Sequence, residues 1–239
     1  LGCNFKYGVL TNITHEHLDY HKTFERYRDA KAKMFRGVKI AVLNRDDESF
    51  DCIKSVARGA RVISYSATKH ASIVGKSVAI DMDGMKIRIK EGRITQELAT
   101  SLLGEFNVSN ILAAAGVARS LGITWDKITK AVADFSGIPG RMEEIKNKKG
   151  FRVIVDFAHT PNALESLLKT VKKSTKGKVI TVFGSAGLRD QLKRKLMGEV
   201  SARLADFSVL TAEDPRTEDV EDIIDEITRG VRQKAKIWD

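Results

Sequence analysis

The segment KIAVLN, residues 39–44, is a short apolar run that ends in a turn-forming asparagine, as expected of a buried strand. A similar run, YGVLTN at residues 7–12, precedes it, and ARVISYS at residues 60–66 follows it. Between the first two runs, residues 23–36 carry aromatic and apolar side chains at helical spacing, with Thr23 as a possible N-cap. The order strand, helix, strand predicts a parallel α/β unit.

Residues 77–100 have a different pattern, because apolar and polar residues alternate around two pairs of an acidic residue and a glycine. This pattern is typical of strands joined by tight turns, and it predicts a small antiparallel meander. An alanine-rich helix at residues 107–123 and a second helix at residues 124–135 are predicted to follow.

The best candidate for a domain boundary is SGIPGR, residues 136–141, which contains two glycines and a proline. We place one domain at residues 1–138 and the next at residues 139–239. Strand and helix patterns alternate again after the boundary, which predicts an open parallel sheet with helices on its faces. Residues 151–159 are predicted to form a strand, residues 178–187 and 206–215 each a strand that runs into a loop, and residues 235–238 a possible further strand. The predicted helices are 161–173, 190–205 and 219–230.

The composition is that of a globular protein, with 42% hydrophobic and 30% charged residues and no apolar run of membrane-helix length. Cys3 and Cys52 are the only cysteines, and no signal-peptide pattern is present. We therefore expect a reducing, cytoplasmic setting and no membrane partner. The net charge of +10 comes from basic residues spread along the chain, which favours phosphate-bearing substrates and predicts no nucleic-acid partner.

The stretch THEHLDYHKTFERYRDAK, residues 14–31, places three histidines and several carboxylates directly after the first predicted strand. Its spacing matches no standard zinc pattern, whereas magnesium needs few protein ligands and keeps waters and phosphate oxygens. A polar loop that caps the next helix is the simpler interpretation, and the pattern alone leaves both open. Lys31 has the pattern of a surface lysine, whose ammonium repels a metal ion unless it is converted into an anion.

GEFNVSN, residues 104–110, places Asn107 and Asn110 about one turn apart near a predicted helix start. Asparagine side chains at such a position either contact an adenine or ribose edge through their paired donor and acceptor, or cap the helix. The residue types alone do not decide between these two roles.

Two segments of the second domain follow predicted strands and carry arginines. FGSAGLRDQLKRKLMG, residues 183–198, places cations at a helix start, where phosphate or carboxylate is favoured. These cations are Arg189, Lys193 and Arg194. AEDPRTED, residues 212–219, carries Arg216, which could converge with Arg189 on one carboxylate. The alternative for this segment is an acidic helix cap with solvated charges.

Seven segments, in order along nearly the whole chain, resemble those of the Mur ligase family, and most closely its MurE-type branch. They are TNITHEHLDYH (11–21), YRDAKAKMF (27–35), GEFNVSN (104–110), GRMEEI (140–145), VDFAHTPNAL (155–164), FGSAGLRDQLKRKLMGEVSARLADF (183–207) and TAEDPRTED (211–219). The resemblance implies an α/β architecture. Residues 1–138 would be the back part of a P-loop-type ATPase central domain that lacks its phosphate loop. Residues 139–239 would be a Rossmann-like C-terminal ligase domain, truncated at its end.

The function implied by this resemblance is that of an ATP-dependent amide ligase in peptidoglycan precursor synthesis. It would add a third amino acid, diaminopimelate or a similar diamino acid, to UDP-N-acetylmuramoyl-L-Ala-D-Glu. ATP would phosphorylate the D-glutamate carboxylate, and the amine would attack the acyl phosphate. The implied cofactors are ATP and Mg²⁺, the implied partners are the UDP-muramoyl dipeptide and the amino acid, and we expect a monomer.

The resemblance also implies roles for individual residues. His17 and Lys31 match catalytic positions that hold a magnesium ion, and Lys31 matches a lysine that becomes an anionic N6-carboxylysine. The positions that match ATP contacts are Asn107, Asn110, Arg141, Asp156, His159 and Lys193. The positions that match the pocket for the incoming amino acid are Arg189, Glu213, Asp214 and Arg216.

The sequence departs from the family pattern in ways that leave the amino-acid specificity open. The familiar motif D-N-P-R is E-D-P-R here, with Asp214 in place of the amide, and Leu188 replaces an acidic residue of the glycine-rich loop. We expect this chain alone to lack ligase activity, since the resemblance begins after the uridine-binding domain and phosphate loop.

Two alternative functions stay open on the sequence. One is another ligase of the same superfamily, such as a folylpolyglutamate or cyanophycin synthetase. The other is a non-catalytic α/β module that binds nucleotides or nucleic acid.

Overall fold

The structure, a computed structural model, describes residues 3–14, 18–80 and 84–231, without the side chains of Leu18 and Asp19. The chain divides into two compact units, Leu1–Ser136 and Gly137–Asp239. The strand predicted at residues 235–238 lies outside the described residues.

The described residues of the first unit form a six-stranded sheet with helices on its faces. Its elements are β1 (Tyr7–Leu10), α1 (Leu18–His21), α2 (Phe24–Ala32), a 3-10 turn (Lys33–Phe35), β2 (Ile40–Asn44), α3 (Phe50–Val56), β3 (Arg61–Ser66), β4 (Ile73–Ile80), β5 (Met85–Glu91), β6 (Ile94–Thr100), α4 (Phe106–Ser120) and α5 (Trp125–Ala133). Thr23 caps α2 as predicted, because its side chain accepts a hydrogen bond from the Arg26 amide at 3.3 Å.

The sheet order is β1-β2-β3-β4-β5-β6, with parallel pairing from β1 to β4 and antiparallel pairing from β4 to β6. The predicted parallel α/β class and the predicted meander are therefore confirmed. Successive residues of β2 enter two separate cores, since Val42 packs with α4 and α5 whereas Ala41 and Leu43 pack with α2 and α3. Burial on both faces explains why the parallel strands are almost continuously apolar.

Residues 137–231, the described part of the second unit, form two small sheets and three helices. The elements are β7 (Glu143–Ile145), β8 (Val153–Val155), α6 (Pro161–Ser174), β9 (Ile180–Phe183), α7 (Leu192–Leu204), β10 (Phe207–Leu210) and α8 (Val220–Val231). β9 and β10 pair in parallel, as predicted. The strand predicted at residues 151–159 is shorter than expected and pairs antiparallel with β7, which the sequence pattern did not predict. An ion pair joins Glu144 of β7 to Arg152, the residue directly before β8.

Helices α7 and α8 pack so closely that their contact excludes side chains at two positions. A Cβ atom added to Gly198 would lie 2.1 Å from the Ile227 carbonyl oxygen, and one added to Gly230 would lie 2.0 Å from the Lys195 oxygen. Backbone therefore lies directly against backbone at both positions, and glycine is required for steric reasons.

We expect Gly198→Ala to lower the free energy of unfolding by about 1–3 kcal/mol, although alanine is the better helix former, because the added methyl overpacks the helix contact. Gly177→Ala is the matched control, since a Cβ atom there meets no described atom within 4 Å. Urea unfolding of both variants measures the difference. Equal unfolding free energies would contradict the close packing of α7 on α8.

Candidate functional site

Side chains of β2, of β3 and of the loop after β2 form hydrogen bonds with the backbone at the carboxyl end of β1. The Asn44 amide nitrogen donates to the Thr11 oxygen at 2.7 Å, and the Tyr65 hydroxyl donates to the Leu10 oxygen at 2.8 Å. One carboxylate oxygen of Asp47 accepts the Ile13 amide at 2.8 Å. These bonds fix residues 10–13, which lead directly into the histidine-rich stretch.

Asp46 holds the end of β3 to the same edge of the sheet. Its carboxylate accepts hydrogen bonds from the hydroxyls of Ser66 and Thr68, both at 2.6 Å, and from the Ala67 amide at 2.7 Å. Burial raises the pKa of Asp46, but the hydrogen bonds from Ser66, Thr68 and the backbone outweigh burial and bring the pKa below its ordinary value. Asp46 is therefore a fixed anion close to the carboxyl ends of the strands.

The predicted metal ligand His17 lies outside the described residues, as do His15 and Glu16. Lys31 is exposed in the last turn of α2, and its ammonium nitrogen lies 5.3 Å from the centre of the Tyr27 ring. Within residues 3–14, 18–80 and 84–231, no group of three or more His, Cys, Asp or Glu side chains could hold a metal ion. The predicted magnesium site and the carboxylation of Lys31 stay predictions.

Asn107 and Asn110 lie in the first turns of α4 and are joined to each other. The Asn110 amide nitrogen donates to the Asn107 oxygen at 2.9 Å, while the Asn107 amide nitrogen donates to the Leu103 oxygen at 2.8 Å. Asn107 is thus held by the preceding loop, and Asn110 is exposed to solvent.

Four of the predicted ATP contacts lie near one another in the second unit. The Arg141 guanidinium lies 4.5 Å from the centre of the Phe157 ring, and that ring contacts His159 edge-on at 4.8 Å. The Lys193 ammonium donates to the His159 carbonyl oxygen at 3.0 Å. Asp156 accepts the Met142 amide at 2.8 Å, which anchors the residue next to Arg141. The result is a mixed cluster of cations, an exposed aromatic ring and a carboxylate.

The predicted amino-acid pocket lies on the loops that follow β9 and β10. Gly187 donates its amide to the Asp214 oxygen at 2.8 Å, and a Cβ atom on Gly187 would lie 1.9 Å from the Pro215 oxygen. The two loops are therefore in direct backbone contact. Arg189 is exposed on the first loop, and on the second the Arg216 Nε atom lies 3.6 Å from an Asp214 carboxylate oxygen. Glu213 is exposed in the same turn.

The expectation that Arg194 would offer its charge to a ligand is wrong. Its side chain is fully buried and pairs with Glu218 at 2.8 Å and with Glu226 at 3.0 Å. A buried guanidinium needs such partners, because an unpaired charge in the interior is strongly destabilising. Lys193, the neighbouring cation, is partly exposed instead.

Comparison with known proteins gives two family matches, which together span most of the chain. Residues 1–118 match the Mur ligase middle domain, and residues 140–238 match the Mur ligase, glutamate ligase domain. This chain belongs to the Mur ligase family. The order of its two domains along the chain is the order that the resemblance implied.

Curated Mur ligases are similar to the chain over nearly all of its length. The UDP-N-acetylmuramoyl-L-alanyl-D-glutamate–2,6-diaminopimelate ligase of Geobacter metallireducens is 40% identical, with 97% of this chain and 47% of that protein covered. The ligase of the same name from Bacillus velezensis is 38% identical, with 96% and 49% covered. The chain thus spans about half the length of the curated relatives it matches.

Solved structures of Mur ligases have the same fold. A UDP-N-acetylmuramoyl-L-alanyl-D-glutamate–2,6-diaminopimelate ligase has a TM-score of 0.66 at 33% identity, with 96% of this chain and 48% of that chain covered. MurF of Acinetobacter baumannii has a TM-score of 0.80 at 18% identity, with 97% and 50% covered, and this second likeness concerns the fold alone. In the described part of this Mur ligase chain, no helix is both long enough and apolar enough to cross a membrane.

The sequence patterns did not single out several residues that shape these sites. NRDD, residues 44–47, follows β2 directly, and polar residues at the carboxyl end of a parallel strand are a signal of a binding edge. Glu218 gave no comparable signal, because a glutamate two residues before a helix has the pattern of a solvated cap.

We expect Asp46→Asn to reduce the free energy of unfolding at pH 7 by about 1–2 kcal/mol, since charge-assisted hydrogen bonds are weakened. The folded pKa of Asp46 lies below the unfolded value of about 3.9. Its stabilising contribution is therefore complete above about pH 4 and is lost as the pH falls below that value. The difference in the free energy of unfolding between Asp46→Asn and the parent should therefore become smaller as the pH is lowered through this range.

Denaturant unfolding at a series of pH values, followed by circular dichroism, checks this expectation. Asp51→Asn is the control, because Asp51 is an exposed carboxylate on α3. If the free energy of unfolding depended on pH in the same way in both variants, the role assigned to Asp46 would be contradicted.

Proposed function

We propose that this chain is part of an ATP-dependent ligase that adds the third amino acid to UDP-N-acetylmuramoyl-L-Ala-D-Glu in peptidoglycan precursor synthesis. The observation that carries the proposal is the direct contact of two arginine-bearing loops, through Gly187 and Asp214, in a chain whose relatives are named as diaminopimelate ligases. Paired arginines on adjacent strand ends suit a substrate that presents carboxylate groups.

The cluster around Phe157 supports ATP binding by the second unit. Arg141 and Lys193 provide cations for phosphate oxygens, and the exposed Phe157 ring provides an apolar face beside them. Asp156 and His159 hold the backbone and ring positions of this cluster. For the first unit, considered by itself, we propose that Asn107 and Asn110 contact a nucleotide base, because one amide side chain is already fixed and the other is exposed.

We assign His17 and Lys31 to magnesium, which when bound would neutralise phosphate charge during transfer. Lys31 suits this role only as N6-carboxylysine: its amine adds to carbon dioxide, loses a proton and becomes an anionic carbamate. The exposure of Lys31 supports this, since carbon dioxide can reach the amine from solvent. As an anion, the side chain would attract the metal ion that its ammonium form repels.

The incoming amino acid would be held by charges of both signs. Arg189 and Arg216 would bind its carboxylates, whereas Asp214 and Glu213 would face its ammonium groups. Asp214 lies 3.6 Å from Arg216, so it competes with a substrate carboxylate for that guanidinium. This arrangement fits a diamino acid. The strength of the ion pair between Asp214 and Arg216 would decide how much a second substrate carboxylate adds to the affinity.

The function is tested with the natural protein that contains this sequence, by phosphate release with the UDP-dipeptide and a panel of amines. We expect Arg216→Ala to raise the KM for diaminopimelate by about 10–100-fold, the loss expected for one charge-assisted contact. The KM for ATP should change little. Lysine, which lacks the second carboxylate, should be affected less than diaminopimelate.

Arg203→Ala is the matched control for this experiment. Arg203 is an exposed arginine of α7 that pairs with Glu165 at 3.1 Å, outside the two loops. An equal rise in the KM for diaminopimelate in Arg216→Ala and Arg203→Ala would contradict the assignment of Arg216 to the substrate.

We expect Lys31→Ala to reduce phosphate release by about 10²-fold or more, since a ligand of the metal is removed. Short-chain carboxylates added to this variant should restore part of the activity, because they replace the missing anion. Lys33→Ala, which removes an exposed lysine next to α2, should have activity close to the parent. Loss of activity in Lys31→Ala without any rescue would contradict the carbamate.

A further inference from the structure

A buried arginine lies at the base of the two loops that carry Arg189 and Arg216. The Arg194 guanidinium donates to the Ala186 oxygen of the first loop at 3.2 Å and pairs with Glu218, at the end of the second loop, at 2.8 Å. A third contact, 3.0 Å from Glu226, ties it to α8. One side chain thus connects both loops with both helices.

Glu218 completes a closed ring of hydrogen bonds that runs from Arg194 through Glu218 to residues 186–188 of the first loop and back to Arg194. One of its carboxylate oxygens accepts the Leu188 amide at 2.5 Å, while the other pairs with Arg194. Its own amide donates to the Pro215 oxygen at 3.0 Å. The hydrogen bond from Leu188 and the bond from Arg194 both lower the pKa of Glu218, so the carboxylate stays ionised. We call Arg194 and Glu218 the loop clamp.

The backbone of both loops needs such support. Leu188 and Arg216 each have a φ of 54°, in the left-handed region that residues with a Cβ atom avoid. Backbone in this region persists where surrounding contacts fix it, and it is frequent where a ligand is held. Leu188 precedes Arg189, and Arg216 is itself strained, so each unfavourable conformation sets the direction of an exposed arginine.

We propose that Arg194 and Glu218 are positioning residues that set the separation of Arg189 and Arg216, and thereby the affinity for a carboxylate-bearing amino acid. This inference rests on the proposed function. Arg194 touches no substrate, because its side chain is fully buried. Glu218 is partly exposed, but its two carboxylate oxygens are engaged by the Leu188 amide and by Arg194. The clamp acts through Leu188 and through the turn that ends at Glu218.

Glu226 provides a matched control within the same ion cluster. It pairs with the same guanidinium, but its carboxylate belongs to α8 and lies outside both loops. Glu218→Gln and Glu226→Gln therefore remove the same charge from the same partner. In Glu218→Gln the new amide can accept from Leu188 only by directing its donor nitrogen toward Arg194, so the ring opens. In Glu226→Gln the ring stays closed.

The first measurement uses this chain and needs no substrate. Hydrogen exchange of the Gly187 and Leu188 amides should be at least about tenfold faster in Glu218→Gln than in the parent, and within about twofold in Glu226→Gln. Arg194→Lys provides a second test of the ring. A lysine ammonium carries its three donors on one nitrogen and lacks the planar fork by which Arg194 reaches its separate partners, so exchange should be faster here too.

The second measurement uses the natural protein that contains this sequence and compares the KM values of its substrates. We expect Glu218→Gln to raise the KM for diaminopimelate at least about tenfold, with the KM for ATP and kcat within about twofold, and Glu226→Gln to leave all three near the parent values. A general loss of stability would lower activity toward every substrate together and would not separate these constants.

The outcomes separate the two proposals. A parent protein that releases no phosphate with any amine overturns the proposed function, and the substrate role of the clamp with it. An active parent in which both glutamine variants change the KM for diaminopimelate equally overturns the clamp alone. Faster exchange at Leu188 without any change in that KM assigns the clamp to stability and also overturns the positioning role.

Discussion

Parallel pairing of neighbouring strands is the constraint on which the polar edge of the first unit and the predicted amino-acid pocket of the second unit depend. When two strands run in the same direction, the loops at their carboxyl ends emerge at one edge of the sheet, and their polar side chains meet there. In the first unit this edge joins the ends of β1, β2 and β3 through Asn44, Asp46 and Asp47. In the second unit, the pairing of β9 with β10 brings two loops into backbone contact.

The second unit adds a further requirement, which is the close approach of the helices that follow these loops. Gly198 and Gly230 let α7 and α8 pack backbone to backbone. Arg194 and Glu226 lie one turn before these glycines on the same helix faces, which places their charges in the same contact. The energetics of packing and the geometry of the loops are therefore coupled, because a shift of α8 on α7 would move the guanidinium that holds both loops.

Much of the fold could be predicted from local sequence patterns. The apolar runs of β1, β2 and β3, the helical spacing before β2 and the meander all appear where the periodicity places them, since each pattern matches the burial of its element. The pattern did not reveal β7, because Glu143 and Glu144 are poor strand formers and their strand exists through its pairing with β8. Tertiary contacts decided that element.

The candidate site was less predictable, for a physical reason. Arg189 and Arg194 lie in the same basic segment, yet one is exposed and the other is fully buried. Burial of Arg194 depends on Glu218 and Glu226, which are distant in sequence and come close through the packing of α7 on α8. Residue type and spacing indicate that a segment is basic, whereas the partner that neutralises each charge is set by the fold.

The central claim, that this Mur ligase chain serves an amide ligation, is tested most directly by substrate dependence. Phosphate and ADP formation would be measured for the natural protein with ATP, the UDP-muramoyl dipeptide and diaminopimelate, each left out in turn. We expect phosphate release only when all three are present, with a new amide bond on the D-glutamate carboxylate. ATP hydrolysis at the same rate without the dipeptide or the amine would contradict it.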